Sequence, residues 1–134
     1  MSQPRLQLTS VTIGTSQPRD LARFYAKLLD WQITALEDAA GGEPINAGWA
    51  QIRPPANVPG PTLNFEFERQ FKRPVWPAEP DTQNATEHLD IQVDDLATAV
   101  EWAVECGAVV DPFQPQDDVR VMRDPDGHPF CLYL

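Results

Sequence analysis

Four stretches of this chain carry side chains able to do chemistry at strand spacing. In His88-Leu-Asp-Ile-Gln-Val93, His88 and Asp90 alternate with Leu89 and Ile91, so imidazole and carboxylate share one face of a strand. They stand about 7 Å apart along it, too far for an assured hydrogen bond. His88 could act as general acid or base, its titration moved by Glu66 or Asp90 if either is close. Equally, it could hydrogen-bond a neighbour for structure alone. In Thr62-Leu-Asn-Phe-Glu-Phe-Glu68, Asn64 and Glu66 oppose Leu63, Phe65 and Phe67. Near the C-terminus Cys131 and Tyr133 oppose Phe130, Leu132 and Leu134, and near the N-terminus Ser10 and Thr12 oppose Val11 and Ile13.

If the apolar faces pack under helices, Ser10, Thr12, Asn64, Glu66, His88, Asp90, Cys131 and Tyr133 line the opposite surface. A merely solvated face would carry more Lys and Glu and fewer Ser, Cys and Tyr. This mixture of small polar groups, acids, imidazole and phenol reads as a binding concavity, with a solvated sheet face as the alternative. Trp49, Trp76 and Met122 are candidate aromatic or soft walls for a planar ligand, or else core and loop anchors. His128 is expected to sit exposed inside a turn with no chemical role. The chain shows no Gly-rich phosphate loop and no paired-cysteine zinc motif.

The elements that must position these residues follow from periodicity. Leu6 to Gly14 alternates as a strand. Leu21, Phe24, Tyr25, Leu28 and Leu29 then recur at helical spacing, with Pro18 near the first turn and Asp30 at the end. Trp31–Leu36, Gly48–Arg53 and Thr62–Glu68 read as three further strands. From Gln70 to Glu87 the pattern dissolves into a proline-rich linker that Phe71 and Trp76 would pin to the body. The order then restarts with a strand at His88–Val93 and a helix capped by Asp94-Asp95 and closed by Gly107. Ala108–Val110 begins a strand, Asp111–Gln116 is too proline-rich to assign, and a hairpin turns at Asp124-Pro-Asp-Gly127. The fold class is α+β, one domain over residues 1–134: a module at about 5–69, a linker at about 70–87 and a second module at about 88–134. Two such units should associate, since neither buries a sheet face well alone.

The totals bound the function. With 134 residues, 42% hydrophobic content, four Trp and six Phe, the chain supports a packed core. A net charge of −10, from 20 acids and 10 bases, opposes nucleic-acid binding and suits a cationic ligand or simple solubility. No apolar run is long enough to cross a membrane and no signal peptide is evident. A cytoplasmic protein with Cys106 and Cys131 reduced is expected.

Three pieces carry a family resemblance. Leu21-Ala-Arg-Phe-Tyr-Ala-Lys-Leu-Leu-Asp-Trp31 is similar to the first-helix signature of the vicinal-oxygen-chelate superfamily, most closely its glyoxalase-like domains, with Asp30 in place of the usual Gly. His88–Leu96 resembles the strand-into-helix signature of the second module, and Arg123-Asp-Pro-Asp-Gly-His-Pro-Phe130 resembles the final turn. The resemblance implies two βαβββ modules curving into a mixed-sheet cup, often completed by homodimerisation. It also implies a divalent ion held by four side chains from the first and last strands of each module. Those positions fall on Ser10, Glu66, His88 and Cys131.

Ser10 is a poor ligand for such an ion, so the expected site is degenerate. Either no cofactor binds, or Zn, Ni or Mn is held by His88, Glu66 and Cys131 with water. A lone Cys131 between Phe130 and Leu132 is otherwise a small buried hydrophobe. Three functions follow: a glyoxalase-like enzyme (lyase or isomerase) using His88 and Glu66 for proton transfer, a non-catalytic binder of a cationic drug-like molecule resembling bleomycin-resistance proteins, or an interaction domain with a vestigial cup.

Overall fold

The structure, a computed structural model, describes residues 2–134. The chain divides into two compact units, the first ending at Glu68 and the second running Arg69–Leu134. The segment expected as a linker therefore belongs to the second unit. Among the described residues, eight strands form two four-stranded mixed sheets, accompanied by two helices.

The first unit runs β1 (Ser10–Thr15), α1 (Pro18–Leu29), β2 (Gln32–Glu37), β3 (Trp49–Arg53) and β4 (Thr62–Phe67). Its sheet has the order β1-β4-β3-β2, with β1 parallel to β4 and the remaining pairs antiparallel. β1 begins at Ser10, not Leu6, and Leu6 and Leu8 are 82% and 87% exposed. Their alternation has no partner, because β4 begins at Thr62, opposite Ser10, and is preceded by Pro61, which has no N–H to extend the ladder. The core packs Leu21, Ala22 and Tyr25 of α1 with Ala50, Ile52, Leu63 and Phe65; Tyr25 stacks on Phe65 at 5.9 Å between ring centres. α1 ends at Asp30 in the left-handed conformation, φ 56° and ψ 46°, which Asp tolerates better than most residues.

The second unit repeats the plan: β5 (Leu89–Gln92), α2 (Leu96–Cys106), β6 (Val109–Val110), β7 (Val119–Arg123) and β8 (Pro129–Tyr133), in the order β5-β8-β7-β6. Asp95 caps α2 by accepting from the Thr98 backbone N–H at 2.9 Å, a bond that holds its carboxyl below the usual range. The proline-rich stretch after β6 solves its backbone pairing with a side chain. The Gln114 amide accepts from Val121 N and donates to Val121 O, both at 2.9 Å, as a ladder peptide would.

The register assigns the faces. Leu89 and Met122 pair with Phe130, and Ile91 and Arg120 with Leu132; this face, with Ala103 of α2, carries the buried apolar set. Asp90 and Val121 pair with Cys131, and Gln92 and Val119 with Tyr133, so these residues share the other face. Met122, expected as a soft wall for a planar ligand or else a core anchor, lies on the face opposite Cys131 and is 0% exposed. Both faces of β7–β8 are buried, as Val121 at 3% and Cys131 at 7% show, so apolarity alone could not say which face is inward.

Candidate functional site

Each unit presents one polar sheet face. In the first, the pairs Ser10–Thr62, Thr12–Asn64 and Trp49–Glu66 put Ser10, Thr12, Asn64, Glu66 and Trp49 on a common face, as the alternation foretold. Hydrogen bonds cross all four strands there. Thr34 Oγ1 donates to Gln51 Oε1 at 2.8 Å, Gln51 Nε2 to Asn64 Oδ1 at 2.9 Å, and Asn64 Nδ2 to Thr12 Oγ1 at 3.4 Å. Arg53 Nε also donates to Gln51 Oε1, at 3.1 Å. Gln51 is the hub, and sequence reading missed it. The alternation of Trp-Ala-Gln-Ile-Arg53 around buried Ala50 and Ile52 was the signal available. Glu66 remains exposed beside Trp49.

In the second unit, His88, Asp90 and Cys131 converge. Their ligand atoms all lie within 4.8 Å of one another, and His88 Nε2 is 3.2 Å from Asp90 Oδ1. The strand repeat leaves that contact uncertain; in the structure His88, just before β5, meets Asp90 within it. Parallel pairing of β5 with β8 brings Cys131 opposite Asp90. Burial pushes the Cys131 thiol up, and the Asp90 charge and a hydrogen bond to its carboxylate push it the same way. The thiol is thus a neutral donor toward Asp90 at neutral pH.

One imidazole, one carboxylate and one sulfur form a donor set that suits zinc, whereas the sulfur argues against manganese. His88 and Asp90 already stand near the ~3.3 Å that separates two ligands of a tetrahedral ion. Asp90, expected to line this face, joins the cluster, while Glu66 belongs to the first unit.

Residues Arg69–Glu87 bring Trp76 to this cluster, its ring centre 5.6 Å from that of His88. The loop closes on itself where Val75 N donates to Gln83 O at 2.6 Å. Arg123 Nη2 donates to Trp76 O at 3.0 Å, and its Nε to Asp111 Oδ2 at 2.6 Å. The Trp76 indole nitrogen is buried without an acceptor among the described residues, a cost of about 1–3 kcal/mol.

The closing turn has more structure than its composition implied. Asp124, 1% exposed, accepts through Oδ1 from the backbone N–H of Asp126 at 2.9 Å and of His128 at 3.0 Å. Its Oδ2 meets His128 Nδ1 at 2.9 Å. His128, expected exposed, is half-buried and lies 5.3 Å from the Phe71 ring centre.

Comparison with known proteins agrees with this architecture. The family model described as a glyoxalase-like domain matches residues 10–133. No curated protein matches the sequence. Among solved structures, a glyoxalase family protein from Enterococcus faecalis is similar with a TM-score of 0.65 at 20% identity, over 96% of this chain and 97% of that one. The fosfomycin resistance protein FosX from Listeria monocytogenes, complexed with Mn(II) and a dihydroxypropylphosphonic acid, gives 0.67 at 12% identity, over 95% and 90%. TnmS3, an antibiotic binding protein from Streptomyces sp. CB03234, gives 0.59 at 18% identity, over 98% of each chain. With a family match across 10–133 and the repeated βαβββ order, this chain belongs to the glyoxalase-like domains of the vicinal-oxygen-chelate superfamily.

Proposed function

We propose that this protein binds a small organic ligand on the polar face of its second sheet. His88, Asp90 and Cys131 form the polar centre, Tyr133 shares the face, and the Trp76 ring is the wall. The observation that carries this reading is the convergence of imidazole, carboxylate and thiol within 4.8 Å beside an aromatic ring. Asp90 supplies a charge for a ligand cation and Trp76 a surface for a flat one. A net charge of −10 favours approach of cations, and TnmS3, of similar fold, is an antibiotic binding protein. His88 would relay or accept a proton if the ligand is transformed.

A second reading is favoured by the donor set itself: zinc held by His88, Asp90 and Cys131. Bound there, zinc would supply Lewis-acid polarisation, with these three residues holding it and the Trp76 ring standing beside His88.

One titration series separates the two readings. Purified protein is followed by thermal shift and calorimetry with Zn2+, with Mn2+, and with a panel of cationic aromatic drugs, in wild type, Asp90→Asn and Cys131→Ser. Organic cations that raise Tm in wild type but not in Asp90→Asn, without a zinc response, support the first reading. Stoichiometric zinc lost in both variants supports the second. No response to any probe in wild type refutes both.

A further inference from the structure

We propose that Arg123 is a positioning residue, holding Trp76 against His88 by gripping the Trp76 peptide. Its guanidinium joins two things the sequence keeps far apart. On one side Nε donates to Asp111 Oδ2 at 2.6 Å; on the other, Nη2 donates to the Trp76 carbonyl at 3.0 Å. The Asp111 side chain is 1% exposed, and its other oxygen accepts from Phe113 N at 2.8 Å. The carboxylate is therefore fixed from behind, and it fixes the guanidinium plane in turn.

Trp76 needs such a tether. It sits on a loop outside the sheet, and its own indole N–H has no acceptor among the described residues. Its ring is nevertheless set 5.6 Å from His88 with the two planes tilted by 55°. A lysine could still pair with Asp111, but as a single point of charge it lacks the fork that bonds carboxylate and carbonyl together. The role of Trp76 as a ligand wall rests on the function proposed above. The tether itself does not, and it is testable with no ligand present.

The chain has two histidines, His88 and His128, so the ring protons of His88 are resolved by NMR and assigned with His88→Gln. Trp76 shifts them by its ring current, and Trp76→Leu gives the reference for its removal. Arg123→Lys is expected to move the His88 resonances at least about half of the way from the wild-type to the Trp76→Leu position. The same substitution made on Trp76→Leu should move them by less than about a fifth of that, the coupling expected of residues acting through one another.

Two outcomes overturn the proposal: His88 resonances unchanged in Arg123→Lys, or equal shifts in the two backgrounds. A purely structural Arg123–Asp111 pair predicts a lower Tm with one of those two patterns. Should Arg123→Lys not fold, Asp111→Asn with Arg123→Gln removes both charges together and is judged by the same criteria. Failure of the ligand titrations would leave these shifts untouched, so the two ideas fail separately.

Discussion

Replacing Asp124 tests how much of the second unit hangs on one carboxylate. Asp124→Ala strands the backbone N–H groups of Asp126 and His128, which donate to Oδ1 at 2.9 and 3.0 Å. Asp126 is 5% exposed, so water cannot readily replace the lost acceptor. Charge-assisted bonds of this kind contribute about 1.5–3 kcal/mol each. The His128 ring, its side chain 19% exposed, can recover part of its own loss from solvent. The two stranded amides then set the cost at about 3–6 kcal/mol. Asp124→Asn keeps an oxygen where Oδ1 stands and loses only charge assistance, a cost of about 1–2 kcal/mol. Against a total of about 5–15 kcal/mol, Asp124→Ala should be marginal and Asp124→Asn comfortably folded. Urea unfolding followed by circular dichroism measures both. Equal losses in the two variants, or a loss below about 1.5 kcal/mol in Asp124→Ala, would refute the reasoning. Because His128 and Pro125 contact Phe71 and Arg73, Asp124→Ala should also loosen the loop that carries Trp76.

Three shorter predictions follow from other parts of the structure. Asp30→Gly, at φ 56°, should raise stability by up to about 1 kcal/mol while Asp30→Ala should not, as thermal unfolding will show. Met122→Ala, at a position 0% exposed, should cost about 2–5 kcal/mol yet leave the environment of the Cys131 face unchanged, seen as unaltered His88 resonances. The Cys131 pKa is raised in the folded protein, so its contribution is complete below the ordinary thiol value of 9.0 and is lost as pH rises through the raised one. The stability difference between wild type and Cys131→Ala should therefore shrink above pH 9.0, as paired denaturation curves across that range will show.

The architecture was legible because its cues are local. Leu21, Phe24, Tyr25, Leu28 and Leu29 mark a helix through their own spacing, and Leu63, Phe65 and Phe67 mark a strand face, with no knowledge of partners. What eluded sequence reading depends on pairing. Leu6 and Leu8 alternate like strand residues, yet Pro61 removes the strand that would meet them. Met122 and Val121 both look buried and both are; only the Phe130–Met122 register says which faces Cys131. Asp90 was placed on the polar face correctly, but its meeting with Cys131 joins two strands through a parallel crossover that no local pattern encodes. Gln114 and Arg123 were invisible for the same reason, since each bonds backbone that its own neighbours in sequence do not supply.

Cys131 is, with Ser10, one of the two positions where this chain departs from the metal-binding pattern its family resemblance implies, and the structure gives this departure a physical sense. A carboxylate at 131 would sit beside Asp90, its partner in the β5–β8 ladder, at a position 7% exposed. Two anions there need a cation between them. A thiol kept protonated by burial and by Asp90 does not, so the cluster can stand with no ion. Cys131→Asp restores the conflict. With Asp90 59% exposed, the repulsion lies near the aqueous limit of about 1 kcal/mol, and burying the new carboxylate adds a larger desolvation cost. The variant should therefore lose stability without metal. It should then regain it on adding Mn2+ or Zn2+ and take up one ion per chain, since His88, Asp90 and the new carboxylate form an oxygen-rich set that accepts the harder ion as well. Metal-dependent thermal shifts and elemental analysis read both effects. A Cys131→Asp protein as stable as wild type, or one that no divalent ion rescues, would show that the thiol is packing material and that position 131 has no part in the electrostatics of the site.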